Sequence, residues 1–150
     1  MRIGWSMQSH RLLILAGLLI GMTGCALKPP LWTGQRRVKT PPETALVIFF
    51  RPRSPVAAAV SANVQDNAIN LGNLTNGTYF MYHARPGAHD FMLVTDSVAN
   101  RSLRLRAGRT YYLQGRVGQA GPHYPPHLRL ASPLEGQFAI RHLQRLDYGE

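Results

Sequence analysis

The sequence predicts an all-β fold, an antiparallel β-sandwich of about seven or eight strands closed by one C-terminal α-helix. Three observations carry this expectation. Apolar residues recur with a period of two over residues 44–131, rich in β-branched and aromatic side chains. Turn-forming groups such as Asp66-Asn67, Asn76-Gly77, Arg85-Pro86-Gly87 and Ala107-Gly108 interrupt that pattern at roughly the eight- to twelve-residue spacing of a sandwich. After Ser132 the period lengthens to three- and four-residue steps. With 45% apolar and 16% charged residues in 150, the chain can bury one core, and wholesale disorder is excluded.

Residues 44–51 form a continuous apolar run, the mark of a central strand covered on both faces, and Arg51-Pro52-Arg53-Ser54-Pro55 ends it. Alternation over 60–65 leads through Asp66-Asn67 into a partner strand over 68–74. Asn76-Gly77 reads as the stronger hairpin signal, because both residues tolerate the positive φ of a type I′ turn. Strands follow over 78–83, 89–95, 101–106, 109–117 and 127–131, with a type II turn expected at Arg85-Pro86-Gly87 and a Gly/Pro-rich loop over 118–126. Ser132-Pro133-Leu134-Glu135 is a capping box with proline at the first helical position. Leu134, Phe138, Ala139, Leu143 and Leu146 would then lie on the sheet, with Gly136 weakening the first turn.

The first 24 residues have another character. Arg2 and Arg11 precede an apolar segment over 12–23, too short to span a bilayer and suited to a signal-peptide core. It ends on Met22-Thr23-Gly24-Cys25, which resembles the lipobox of bacterial lipoproteins, with Met22 in place of the usual leucine. The resemblance implies cleavage between Gly24 and Cys25 and acylation of Cys25, the only cysteine, by several chains at about 0.8 kcal/mol per buried CH₂. Ala26, where an inner-membrane lipoprotein tends to carry Asp, implies the outer membrane facing the periplasm. Residues 25–43 then form a Pro-rich basic tether whose Lys28, Arg36, Arg37 and Lys39 either rest on anionic headgroups or solvate the linker. Three segments result: leader 1–24, tether 25–43 and folded domain 44–150.

Four blocks in order, Phe49-Phe50-Arg51-Pro52, the stretch from Gly72 to Phe80 (Gly-Asn-Leu-Thr-Asn-Gly-Thr-Tyr-Phe), Pro86-Gly87-Ala88-His89 and Ala107-Gly108-Arg109-Thr110-Tyr111-Tyr112, resemble a family of small bacterial lipoproteins carrying a domain of unknown function. The resemblance implies an immunoglobulin- or transthyretin-like sandwich and adds no activity. Each block also has a scaffold role: glycines for turns, aromatics for packing, and Arg51 as a buried anchor for loop carbonyls.

Catalytic and metal-ligating patterns are sparse. One cysteine excludes an internal disulfide framework and a Cys₄ or Cys₂His₂ zinc site. No Gly-x-Ser-x-Gly, phosphate-binding loop, Gly-x-Gly-x-x-Gly or His-Glu-x-x-His occurs, and the seven acids are scattered. His123 and His127 sit four apart, but in a Pro-rich loop that forbids the helix on which they would share a metal. The expectation is a protein that is not an enzyme and takes no cofactor.

Charge is the remaining feature. The 17 basic residues, less Arg2 and Arg11 of the leader, leave 15 against 7 acids, a formal +8. Arg101, Arg104, Arg106, Arg109, Arg116 and Arg129 fall mainly on the polar phase of three strands, a basic face if those strands are neighbours. Such a face is either a site for an anionic partner or a solvated surface. For an exported chain the expected partners are the membrane through the lipid anchor, an envelope protein, or an anionic glycan or lipid, and not nucleic acid. The expected function is that of a lipid-anchored envelope lipoprotein, a non-catalytic binding or structural accessory module. The alternative is a periplasmic-face binder of peptidoglycan or lipopolysaccharide through the arginines.

Overall fold

The structure, a computed structural model, describes residues 40–118 and 125–148. Among them are strands β1 (Ala45–Arg51), β2 (Ala62–Asp66), β3 (Ile69–Leu74), β4 (Thr78–Ala84), β5 (Gly87–Val94), β6 (Val98–Leu105), β7 (Thr110–Arg116) and β8 (His127–Ala131). Helix α1 (Pro133–Ile140) and the short β9 (Gln144–Arg145) follow. The strands form two sheets, sheet A in the order β8-β7-β1-β4-β9 and sheet B in the order β3-β2-β5-β6. A predominantly β, two-sheet architecture with one helix is as the period-two pattern predicts. The expectation of wholly antiparallel sheets is corrected: β1 pairs antiparallel with β4 but parallel with β7, and β4 pairs parallel with β9. Parallel pairing needs a long return path, and here strands β2 to β6 supply it between β1 and β7.

All seven residues of β1 are buried. Ala45, Val47 and Phe49 face sheet B and join Val64, Leu74, Phe80, Phe91, Leu93 and Leu113 in the inter-sheet core. Leu46, Ile48 and Phe50 face the other way and pack with Tyr112, Ala131 and the helix residues Ala139 and Ile140. The alternation of a strand therefore supplies two apolar layers at once, as a run without polar positions requires. Phe49 stacks on Phe80 at a centroid distance of 5.1 Å and meets Phe91 edge-on at 5.3 Å. Tyr148 closes this row edge-on against Phe80 at 5.1 Å. Its hydroxyl donates to the Asn73 carbonyl and accepts from the Asn73 amide. The ring occupies the space over Gly72, where a Cβ would come within 2.8 Å of it.

The hairpin chemistry differs from the sequence expectation. Asp66 pairs with Ile69, and the two residues between, Asn67 (φ 48°) and Ala68 (φ 68°), carry the paired positive φ of a type I′ turn. At the Asn-Gly site only Gly77 does so, with φ 75°. Asn76 instead accepts from the Ser54 amide and donates to the Ser54 carbonyl through its side chain, so it fastens the loop after β1.

Ser132 caps α1 by accepting from the Glu135 amide at 3.2 Å, with Pro133 in the first turn. The helix crosses the outer face of sheet A from β8 to β9 rather than covering a sheet edge. The expected apolar stripe is corrected as well. Leu134 and Phe138 are 80% and 62% exposed, and the residues turned to the sheet are Gly136, Ala139 and Ile140. Gly136 sets the approach: a Cβ there would stand 2.2 Å from the Tyr112 ring. Leu143 packs beneath the helix, whereas Leu146 belongs to the inter-sheet core.

Two stability measurements test these details. Gly136→Ala, normally a gain of helix propensity, should instead destabilise the domain by about 1–3 kcal/mol through overpacking against Tyr112. Ala68→Gly should stabilise it by about 0.5–1 kcal/mol, because relief of the left-handed alanine outweighs the added freedom of the unfolded chain. Urea denaturation reads both.

Candidate functional site

Of the residues expected to matter, Gly24 and Cys25 lie outside the described residues, as do His123 and the basic residues of the tether, Lys28, Arg36, Arg37 and Lys39. The arginines are described, and they do not share one sheet. Arg101 and Arg104 lie on β6, at the edge of sheet B. Arg104 is in register with Ala88 on the outer face, whereas Arg101 is in register with the inward Phe91 and emerges at the edge. Arg106 and Arg109 sit in the turn between β6 and β7. Arg116 and Arg129 lie on β7 and β8, on the outer face of sheet A beside α1. Arg129 forms a fork with the Glu135 carboxylate, which holds that carboxyl below its usual range, and Arg116 adds to the effect. The six thus divide between two sheets and a turn. The pair on sheet A stands beside His127, in register with Arg116, and beside Glu135 of α1, which pairs with Arg129.

Inside the sandwich two polar constructions stand out. Arg51 is 2% exposed, and its guanidinium donates to the carbonyls of Val60 and Ala57 at 2.6 Å each. Burial lowers its pKa, yet an arginine keeps its charge under any ordinary condition. The side chain therefore holds the loop that carries the chain from sheet A to sheet B, the carbonyl anchor expected from Arg51-Pro52.

The second construction was not legible as a unit in the sequence. Asp66 ends β2 with its side chain inward and 3% residue exposure. Its Oδ2 accepts from the Tyr82 hydroxyl at 3.1 Å and lies 2.7 Å from His89 Nδ1. The His89 ring stacks on Phe91 at 5.6 Å, and its Nε2 lies 2.8 Å from the Arg85 carbonyl. A carbonyl only accepts, so Nε2 carries the hydrogen of that contact. Oδ1 is buried and has no hydrogen-bond partner among the described residues. Burial first, then the charge and hydrogen bond of Asp66, push the Tyr82 phenol above its ordinary range, so it remains a donor. Tyr82 belongs to sheet A and Asp66 and His89 to sheet B. The trio is thus a polar clasp between the layers. The signal available beforehand was weak: His89 after a turn and a lone Asp66 in a hairpin suggest local turn bonding, not a meeting across sheets.

His83 lies on the outer side of β4 in register with Leu46, His89 is internal and His127 is at the start of β8, so these three do not converge. Among the described residues no three His, Cys, Asp or Glu side chains come together. No protein-family model matches the chain, and no curated protein matches it significantly.

Asp66→Ala removes the buried carboxylate that both Tyr82 and His89 meet and should cost about 2–4 kcal/mol, against about 1 kcal/mol for Tyr82→Phe. The phenol adds a pH signature. Its proton is retained in the folded state above pH 10, the ordinary value of a tyrosine. Its contribution is therefore complete below pH 10 and declines as pH rises past it. Denaturation midpoints between pH 9 and 11 should fall less steeply in Tyr82→Phe than in wild type.

Proposed function

We propose that this chain is a lipid-anchored lipoprotein of the bacterial envelope, cleaved before Cys25, whose sandwich is a non-catalytic binding or structural accessory module. The observation that carries the reading is the order of the N-terminus: arginines, a short apolar core, then Met22-Thr23-Gly24-Cys25. Ala26 favours the outer membrane, with the domain facing the periplasm. The interior supports a scaffold role, because Arg51 holds loop carbonyls and Asp66, Tyr82 and His89 hold one another. The transthyretin-like kind of sandwich implied by the four sequence blocks is supported by strand order. Sheet B runs β3-β2-β5-β6, the main strands of sheet A run β8-β7-β1-β4, and β1 and β7 are the parallel pair between them.

Metabolic labelling with palmitate tests the anchor. Wild type should incorporate label and appear as a mature chain beginning at acylated Cys25, while Cys25→Ser should incorporate none. A wild-type chain that takes up no label overturns the reading.

A further inference from the structure

We propose that the outward pole of α1, together with the basic residues around it, seats on the anionic phospholipid surface of the membrane that holds the anchor. The inference deepens the lipoprotein reading and rests on it for the source of the membrane.

At 100° per residue, the sheet-facing residues Gly136, Ala139 and Ile140 fix the inward direction of the helix. Leu134, Phe138 and Arg141 then fall within about 40° of the opposite direction. A surface helix normally turns its polar side to water. Here the pole farthest from the sheet carries a leucine 80% exposed and a phenylalanine 62% exposed, one helical turn apart, with an arginine flanking the leucine in projection. His142 packs edge-on against Phe138 at 5.5 Å, extending the patch past the end of the helix. Scattered surface apolar residues need no explanation, but a paired apolar pole on the outermost element of a domain does.

Charge indicates what covers it. The same side of the molecule carries Arg116, Arg129, Arg141 and Arg145, in register on the outer face of sheet A or on the helix. Glu135 and Asp147 pair with Arg129 and Arg145, so four arginines against two carboxylates leave a positive excess, with His127 and His142 nearby. A basic rim around exposed Leu and Phe is the composition of an element that rests in an anionic interface. The outer face of sheet B has a different character, since Asn63, Gln65, Asn70 and Asn73 bond to one another there.

The path of the chain points the same way. The Thr40 hydroxyl lies 2.7 Å from that of Thr110, a residue in register with Leu46 on the outer face of sheet A. The tether therefore joins the domain on the side that carries α1. Residues 25–39, with Lys28, Arg36, Arg37 and Lys39, reach at most about 50 Å, and so hold this side within reach of the bilayer. A lipid anchor and a basic apolar face together supply two attachment signals.

Spin labelling of the full mature lipoprotein tests the contact. Acylated Cys25 has no free thiol, so Phe138→Cys presents one thiol for a nitroxide, and Ser102→Cys, on the outer face of sheet B, serves as the control. In phosphatidylethanolamine–phosphatidylglycerol vesicles, the ratio of oxygen to nickel-chelate accessibility at position 138 should exceed that at 102 by about threefold or more. Equal ratios overturn the proposal. So does a label at 138 that is already shielded in detergent without lipid, which would assign the face to a second copy of the chain. Two nitroxides per Phe138→Cys chain would mean a free Cys25 and would overturn the anchor reading alone. The Cys25→Ser, Phe138→Cys chain on the same vesicles then tests the surface by itself, with the same accessibility criterion. Position 138 is mostly exposed, so unchanged melting temperatures in each variant verify the fold.

Discussion

The fold is organised by the requirement that β1 have no wet face. Seven consecutive residues without a solvent-facing position cannot belong to an ordinary two-layer sandwich edge, where every second residue meets water. They demand cover on both sides, and the chain supplies sheet B on one and α1 on the other. The position of β1 between β4 and β7 follows, because only an interior strand satisfies both of its hydrogen-bonding edges with backbone. The helix is then a structural necessity: without it Leu46, Ile48 and Phe50 would form an exposed apolar strip along the middle of sheet A.

Within that frame the polar interior decides how the layers meet. Apolar packing is tolerant of small slides between sheets, whereas hydrogen bonds are directional. Tyr82 reaching Asp66 fixes one location of sheet A over sheet B, and Arg51 fixes another by gripping the loop that joins them. The row of rings from Tyr148 through Phe80, Phe49 and Phe91 to His89 runs between these points. Tyr148, itself 41% exposed, caps this row from the surface, and Leu146 before it packs against the inter-sheet core.

Local chemistry makes most of the elements readable in the sequence. The apolar run of β1, the alternation of β2 and the Ser132 cap each express a short-range rule and are where the rule puts them, whereas the strand expected over 101–106 begins at Val98 and leaves Arg106 to the turn. What escaped were properties set by tertiary partners. Asn-Gly is the better type I′ dipeptide, yet Asn76 is needed by Ser54 and leaves the paired positive φ to Asn67 and Ala68. Leu134 and Phe138 have the spacing of a buried stripe, but the close approach at Gly136 turns the helix so that smaller residues face the sheet. The arginines looked like one face because β6 and β7 are consecutive, and consecutive strands in a sandwich often belong to different sheets. The clasp of Asp66, Tyr82 and His89 joins three strands with no sequence motif between them. The proposed leader and lipobox, by contrast, rest on sequence alone.

The parallel pairing of β1 with β7 also has a kinetic meaning. Leu46 lies beside Thr110 and Phe50 beside Gln114, so the first strand of the domain finds one of its two neighbours only after most of the chain is available. Loop closure over such separations is slow, and topologies dominated by it fold late. If the chain is exported as proposed, that delay suits it, because the partner of the central strand is delivered only near the end of the chain.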